Sequence, residues 1–172
     1  AIDIETFSSV DLTKSGVYRY VQSPDFTVLL LAYTFDGINY KIVDFASGDA
    51  LPYEVLIALR DPYTTKTAFN ANFERTCLAK FLGFPMPPQQ WSCTMAKAAQ
   101  VGLPLSLDAV SSVLNLTEQK DKEGKALIRY FSVPCKPTKA NGGRTRNLPQ
   151  HDPEKWQRFK EYCVQDVRVE QA

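Results

Sequence analysis

Asp3 and Glu5 stand two residues apart in Ala1-Ile2-Asp3-Ile4-Glu5-Thr6-Phe7, a run whose alternation is that of a β-strand. The alternation sends Ile2 and Ile4 to one face and both carboxylates to the other. Two like charges held side by side repel. A strand that belongs to a core accepts them when a cation lies between, and hard oxygen donors are what Mg²⁺ or Mn²⁺ prefers. For the pair alone, an edge strand with a solvated acidic face is the competing reading, so the decision rests on whether other acids join it.

Two further anomalies lie downstream. In the helix expected after Asn70, the apolar stripe Phe73, Cys77, Leu78 and Phe81 spans roughly 140° of arc, and Glu74 falls within it at about 100°. A carboxylate aimed at the core needs a cation, a donor cluster or water, because burying it unpaired costs several kcal/mol. The competing role is a first-turn Glu that favours the helix dipole. In the terminal helix, Trp156, Phe159, Cys163 and Val167 define the apolar face, and Tyr162 and Asp166 sit four residues apart at its margin. That spacing stacks a phenol beside a carboxylate, and for the pair alone an ordinary half-buried Tyr next to a solvent-facing Asp is the favoured reading.

The elements that must carry these groups alternate between strands and helices. After the first strand comes a polar stretch, Ser8 to Pro24. Thr27 to Phe35 and Tyr40 to Phe45 then read as two strands joined through Asp36-Gly37, an antiparallel start. A short helix over Leu51 to Arg60, a strand over Thr65 to Phe69, and a helix from Ala71 to about Leu82 follow, the last capped by Asn70 and stopped by Gly83 and Pro85. Met95 to Val101 and Leu107 to Leu114 read as helices, the second capped by Ser106. From Thr117 to His151 the chain is polar, basic and rich in Gly and Pro apart from Ala126-Leu127-Ile128 and Tyr130-Phe131, and reads as a functional loop or small insertion. Asp152-Pro153-Glu154 opens a last helix.

Composition agrees with one α/β domain over residues 1–172: 44% hydrophobic and 23% charged are ordinary values for a globular chain of this length. The longest apolar run, Thr27 to Tyr33, falls far short of the roughly 20 residues that span a bilayer, so no membrane association is expected. Cys77, Cys93, Cys135 and Cys163 form no C-x-x-C pair, which argues against zinc and, with no secretion signal at the start, for reduced thiols in a cytoplasmic setting. Net charge is +1, but its distribution is uneven. Lys120, Lys122, Lys125, Arg129, Lys136, Lys139, Arg144 and Arg146 face only Asp121 and Glu123, which leaves the rest of the chain acidic. A basic segment on an acid-bearing body suits an enzyme that acts on a polyanion, although such clusters are also common as solvated loops.

Taken in order, Asp3-Ile4-Glu5, then Phe69-Asn70-Ala71-Asn72-Phe73-Glu74, then Tyr162-Cys163-Val164-Gln165-Asp166 resemble the three motifs of the DEDD (DnaQ-like) 3′ to 5′ exonucleases in their tyrosine form. Trp91-Ser92-Cys93-Thr94-Met95-Ala96-Lys97 with Leu105-Ser106-Leu107-Asp108 resembles the stretch between the second and third motifs. More narrowly, Ala126 through Pro149 and the Tyr162 motif resemble the exonuclease domain of phage and prophage family A DNA polymerases. Two positions depart from the pattern: Glu74 stands where Asp is usual, and Phe69 stands where His or Gln often precedes the Asn.

The resemblance implies an RNase H-like α/β fold with a five-stranded mixed sheet flanked by helices, the carboxylates converging at one end of the first strand. It implies two divalent metal ions, Mg²⁺ or Mn²⁺, held by Asp3, Glu5, Glu74 and Asp166, and a Tyr162 phenol that orients the attacking water. His151 is then a loop residue before the terminal helix. Asn70 and Phe73 stand where relatives touch the terminal nucleotides, Thr6 is counted with them as substrate-binding, and Phe7 could stack on the last base, with core packing the competing role for both aromatics; Lys136, Lys139, Arg144 and Arg146 could track the phosphate backbone. The implied substrate is the 3′ end of single-stranded DNA, and the implied role is proofreading beside a polymerase domain in a longer parent protein, phage or prophage encoded and acting in the bacterial cytoplasm; the sequence does not fix the oligomeric state, for which a monomer is the default expectation. The competing functions are a degenerate binding module, a free-standing exoribonuclease that trims RNA, and an α/β domain whose acids bind no metal.

Overall fold

The computed structural model describes residues 1–117 and 123–172. Lys120, Asp121 and Lys122 of the basic segment lie outside the described residues. Strand β1 (Ile2–Phe7) pairs antiparallel with β2 (Thr27–Tyr33), which pairs antiparallel with β3 (Lys41–Asp44), so β2 is central and β1 forms one edge. The β2–β3 connection is folded around Asp36, whose carboxylate accepts from the Ile38 and Asn39 amides at 2.9 and 2.8 Å. Strands β4 (Lys66–Ala68) and β5 (Trp91–Cys93) form a separate parallel pair. The expected number of strands is therefore present, but the single five-stranded sheet is divided in two, because the ladder stops between β1 and β4. Strand β5 has only three residues, too few for a period-2 pattern to announce it.

Helices α1 (Leu12–Ser15) and α2 (Val17–Tyr20) form within the polar stretch Ser8 to Pro24, to which the sequence pattern assigns no element, α1 opened by Asp11, whose side chain accepts from the Thr13 and Lys14 amides. Helix α3 (Tyr53–Arg60) begins after Pro52, and α4 (Ala71–Leu82) ends at Gly83, which takes the left-handed conformation (φ 75°) expected of a helix stop. Asn70 occupies the cap position of α4, but its side chain makes no capping bond. Helices α5 (Thr94–Gln100) and α6 (Leu107–Val113) match expectation, Ser106 accepting from the Ala109 amide. The apolar island in the basic segment is a helix, α7 (Gly124–Phe131), that buries Leu127 and Phe131. What reads as a loop in sequence is one element of the core, since Leu127 and Phe131 lie one turn apart on a single face. Helix α8 (Pro153–Gln171) starts at Asp152, which accepts from the Lys155 amide at 3.0 Å.

Two hydrophobic clusters lie on the two faces of the three-stranded sheet. One gathers Ile2, Ile4, Val28, Leu31 and Tyr33 with Cys77 and Leu78 of α4. The other gathers Phe7, Leu29, Leu30 and Ala32 with Phe131 of α7 and Trp156, Phe159 and Cys163 of α8. Consecutive Leu29 and Leu30 share a face because the ladder slips there: Glu5 faces Leu30 and Thr6 faces Val28, leaving Leu29 as the extra residue of a β-bulge. Edge strand β1 is thus packed from both sides, and the bulge falls at its acidic segment.

Candidate active site

A cleft of about 500 Å³ opens along β1 and draws its walls from elements far apart in sequence. Asp3, Glu5 and Thr6 come from β1, Phe73 and Glu74 from α4, and Tyr162 and Asp166 from α8. The remaining wall holds the stretch from Ser8 to Thr13 that leads into α1, Tyr20 of α2, and Ile128, Ser132, Val133 and Pro134 at and beyond the end of α7.

Each acid reaches the cleft by the local rule of its element. Strand alternation turns Asp3 and Glu5 to the α8 side, where the Cys163 thiol donates to Asp3 Oδ2 at 3.5 Å. Glu74, in the first turn of α4, is 5% exposed, so the inward angle read from its periodicity holds in the fold. Its Oε2 is buried and has no hydrogen-bond partner among the described residues. Tyr162 and Asp166, one turn apart on α8, are likewise buried. They lie deeper than the margin of the core that their angles suggested, because α7 covers this side of α8.

The electrostatics follow from this crowding. Burial, reinforced by the negative charge of Asp3, raises the Glu74 carboxyl well above the usual carboxylate range. Burial raises the Tyr162 phenol far above its ordinary value, with Glu5, Asp166 and Asp3 adding to the effect and a hydrogen bond to Asp166 holding the proton. Burial followed by Asp3 and Glu5 raises the Cys163 thiol, which therefore acts as a protonated donor. Tyr20, hydrogen-bonded to Thr6 Oγ1 at 2.8 Å, is pushed up to about 12 by burial. Asp3, Glu5, Asp11, Glu74 and Asp166 line the cleft, and among the described residues no Lys, Arg or His does. A pocket rich in carboxylates, with one buried oxygen left over, fits hard divalent cations, and the donor atoms of Asp3, Glu5 and Cys163 already lie within 4.8 Å of one another.

The residues expected to touch substrate divide. Thr6 and Phe73 line the cleft, the Phe73 ring lying 6.2 Å from that of Tyr20. Phe7 does not: its ring is 3% exposed inside the second cluster, with the Arg146 guanidinium 3.9 Å from its centroid. Strand alternation puts Phe7 on the face of Asp3 and Glu5, but there it packs into the second cluster and is covered by Arg146, so packing and not alternation keeps it off the cleft. Asn70 is exposed and off the cleft wall. Lys136 and Lys139 are exposed, while Arg144 is engaged within its own loop by Asn147 Oδ1 at 2.8 Å and Asn141 O at 3.3 Å. His151 lies in a short 3₁₀ turn (Pro149–His151) before α8, its Nδ1 accepting from the Leu148 amide at 2.8 Å.

Sequence reasoning did not single out Tyr20, Cys163 or the Ile128 to Pro134 wall. Tyr20 sits in a polar stretch with no strong periodicity, Cys163 reads as an ordinary core position of α8, and the wall exists only because α7 folds back onto α8.

No family model matches the chain, and no solved structure matches it. Among the described residues, no helix is long and apolar enough to cross a membrane. Over all 172 residues the chain is 63% identical to a protein of Bacillus phage SP02 named DNA polymerase, and it spans 26% of that protein's length. Along its whole length, then, this chain is similar to about a quarter of a phage DNA polymerase.

Proposed function

We propose that this chain is the metal-dependent 3′ to 5′ exonuclease domain of a DNA polymerase, of the DEDD tyrosine type and with an RNase H-like arrangement. In this reading it removes nucleoside 5′-monophosphates from the 3′ end of single-stranded DNA, and in a longer parent protein that activity is proofreading. The observation that carries the reading is the meeting of Asp3, Glu5, Glu74, Asp166 and Tyr162, from three separate elements, in one cleft. The similarity to a phage DNA polymerase supports it.

Asp3, Glu5, Glu74 and Asp166 would hold two divalent cations, Mg²⁺ or Mn²⁺. Bound there, such cations supply Lewis-acid stabilisation of the charge that develops on the phosphate and on the leaving oxygen. Asp3, hydrogen-bonded by the Cys163 thiol, is held at a fixed orientation on β1. Tyr162 keeps its proton at neutral pH, so its Oη is no general base. It donates to Asp166 and offers its lone pairs to a water hydrogen, which aims the water oxygen at the phosphorus. Hydrolysis joins that oxygen to phosphorus and breaks the P–O3′ bond, leaving a 5′-phosphate on the released nucleotide and a 3′-hydroxyl on the shortened strand. Thr6, Phe73 and the Ile128 to Pro134 wall form the surface against which the terminal nucleotide would rest.

The test is a 5′-labelled single strand incubated with Mg²⁺ or Mn²⁺. Stepwise shortening from the 3′ end, abolished by chelator and by Asp3→Ala, is expected. Binding without any shortening would point instead to a catalytically degenerate nucleic-acid-binding module, and faster cleavage of RNA than of DNA would point to an exoribonuclease.

A further inference from the structure

Gly124 opens α7 directly against the ring of Tyr162. A Cβ placed on Gly124 would lie 2.0 Å from Cε2, 2.5 Å from Cδ2 and 2.6 Å from Cζ of that ring, distances at which no side chain exists. Gly124 is not among the residues with positive φ, so the backbone itself would accept any L-residue. Glycine is a poor choice in a helix on propensity grounds. The contact, and not the turn, requires it.

The ring has little freedom elsewhere. Tyr162 is 2% exposed and lies nearly parallel to Phe159, with an interplanar angle of 6° and centroids 6.3 Å apart. One residue before Gly124, the Glu123 carboxylate pairs with Arg158 of α8. Arg158 and Tyr162 are four residues apart and so lie on the same side of α8. Two successive residues at the start of α7 therefore engage two successive turns of α8, one through an ion pair and one through van der Waals contact.

We infer that Gly124 is a positioning residue for the exonuclease reaction: its bare Cα is the stop against which the Tyr162 ring rests, and it sets where the phenol oxygen points in the cleft. This rests on the exonuclease reading for its catalytic consequence, but not for the contact. A larger residue at 124 must move either α7 or the ring. Because Phe159 backs the ring and the buried Leu127 and Phe131 anchor α7 in the core, the displacement is carried to the hydroxyl.

The test uses Gly124→Ala, Tyr162→Phe and their combination for activity, and Gly124→Ala in the wild-type and Tyr162→Ala backgrounds for melting in chelator. Gly124→Ala should lower kcat by about ten- to a hundred-fold, as expected for a misplaced catalytic group, with KM little changed. Added to Tyr162→Phe, it should cost no more than about two-fold, since residues acting through one group are not additive. It should lower the melting temperature of the wild type, or prevent folding, and do neither in Tyr162→Ala, where the ring is gone. A wild-type kcat for Gly124→Ala, equal fractional losses in both activity backgrounds, or an equal melting loss in Tyr162→Ala would each overturn the inference. If the wild-type chain cleaves nothing, the exonuclease reading fails by itself, and the melting pair alone upholds or overturns the stop.

Discussion

The thiol of Cys163 donates to the carboxylate of Asp3 at 3.5 Å, joining the apolar face of α8 to the acidic face of β1. Cys163 is fully buried, and burial next to Asp3 and Glu5 raises its thiol well above the ordinary value. Thiolate is the nucleophilic form. Native-state alkylation with iodoacetamide should therefore spare Cys163 and the equally buried Cys77 while the half-buried Cys93 and Cys135 are modified first. Peptide mass spectrometry after short labelling checks the order, and early loss of Cys163 would contradict the arrangement.

Without bound cation, Glu74 is expected to cost stability, and with cation it is expected to strengthen binding. Its folded-state pKa is raised by burial and by Asp3, so above its unfolded value the charged form costs stability. Glu74→Gln should melt higher than the wild type in chelator, gain less on Mn²⁺ addition, and lose about a hundred-fold or more in cleavage. Differential scanning fluorimetry with and without Mn²⁺ gives the first two readings. An unchanged melting response to Mn²⁺ in the wild type would count against a metal site.

Tyr162→Phe removes a hydroxyl that holds its proton against Asp166 and leaves the stacking on Phe159 in place. The expected outcome is a fall in kcat of about ten- to a hundred-fold with KM little changed, as for loss of a water-orienting group. Steady-state kinetics on a short single strand separates the two parameters.

Glu170 contributes a pH dependence of stability. Burial raises its carboxyl from 4.5 to about 7, against a hydrogen bond from Thr94 Oγ1 at 2.8 Å. Between those two values the folded state holds a proton that the unfolded state has lost, so this contribution falls as pH rises from about 4.5 and levels off above about 7. Glu170→Gln should flatten that part of the profile, and its advantage over the wild type should grow from pH 5 to pH 8. Urea midpoints across this range measure it.

Phe131 ties α7 to the core. It is fully buried, stacks on Phe159 at 5.3 Å and meets Trp156 edge-on at 4.8 Å. Phe131→Ala should cost about 3–5 kcal/mol, the usual range for a large aromatic truncated in a core. Equilibrium denaturation checks it. Activity should fall as well, because the same helix presents Gly124 to Tyr162 and Ile128 to the cleft.

Much of this protein is set by local periodicity. The two-residue repeat of β1 alone places Asp3 and Glu5 together, and helical angles alone turn Glu74 inward on α4 and set Tyr162 beside Asp166 on α8. Helix bounds marked by Gly83, Ser106 and Asp152 were readable for the same reason, since caps and stops depend on neighbours in sequence. The tertiary structure decided what no local pattern carries. It brought residues more than 150 positions apart onto one strand edge, split the strands into two sheets, turned the apolar island of a basic segment into α7, and packed Phe7 away from the cleft. It also placed a thiol on Asp3 and a glycine on Tyr162. Spacing along a chain fixes direction within an element, whereas contact between elements depends on the packing of whole faces, and only the folded chain contains that information.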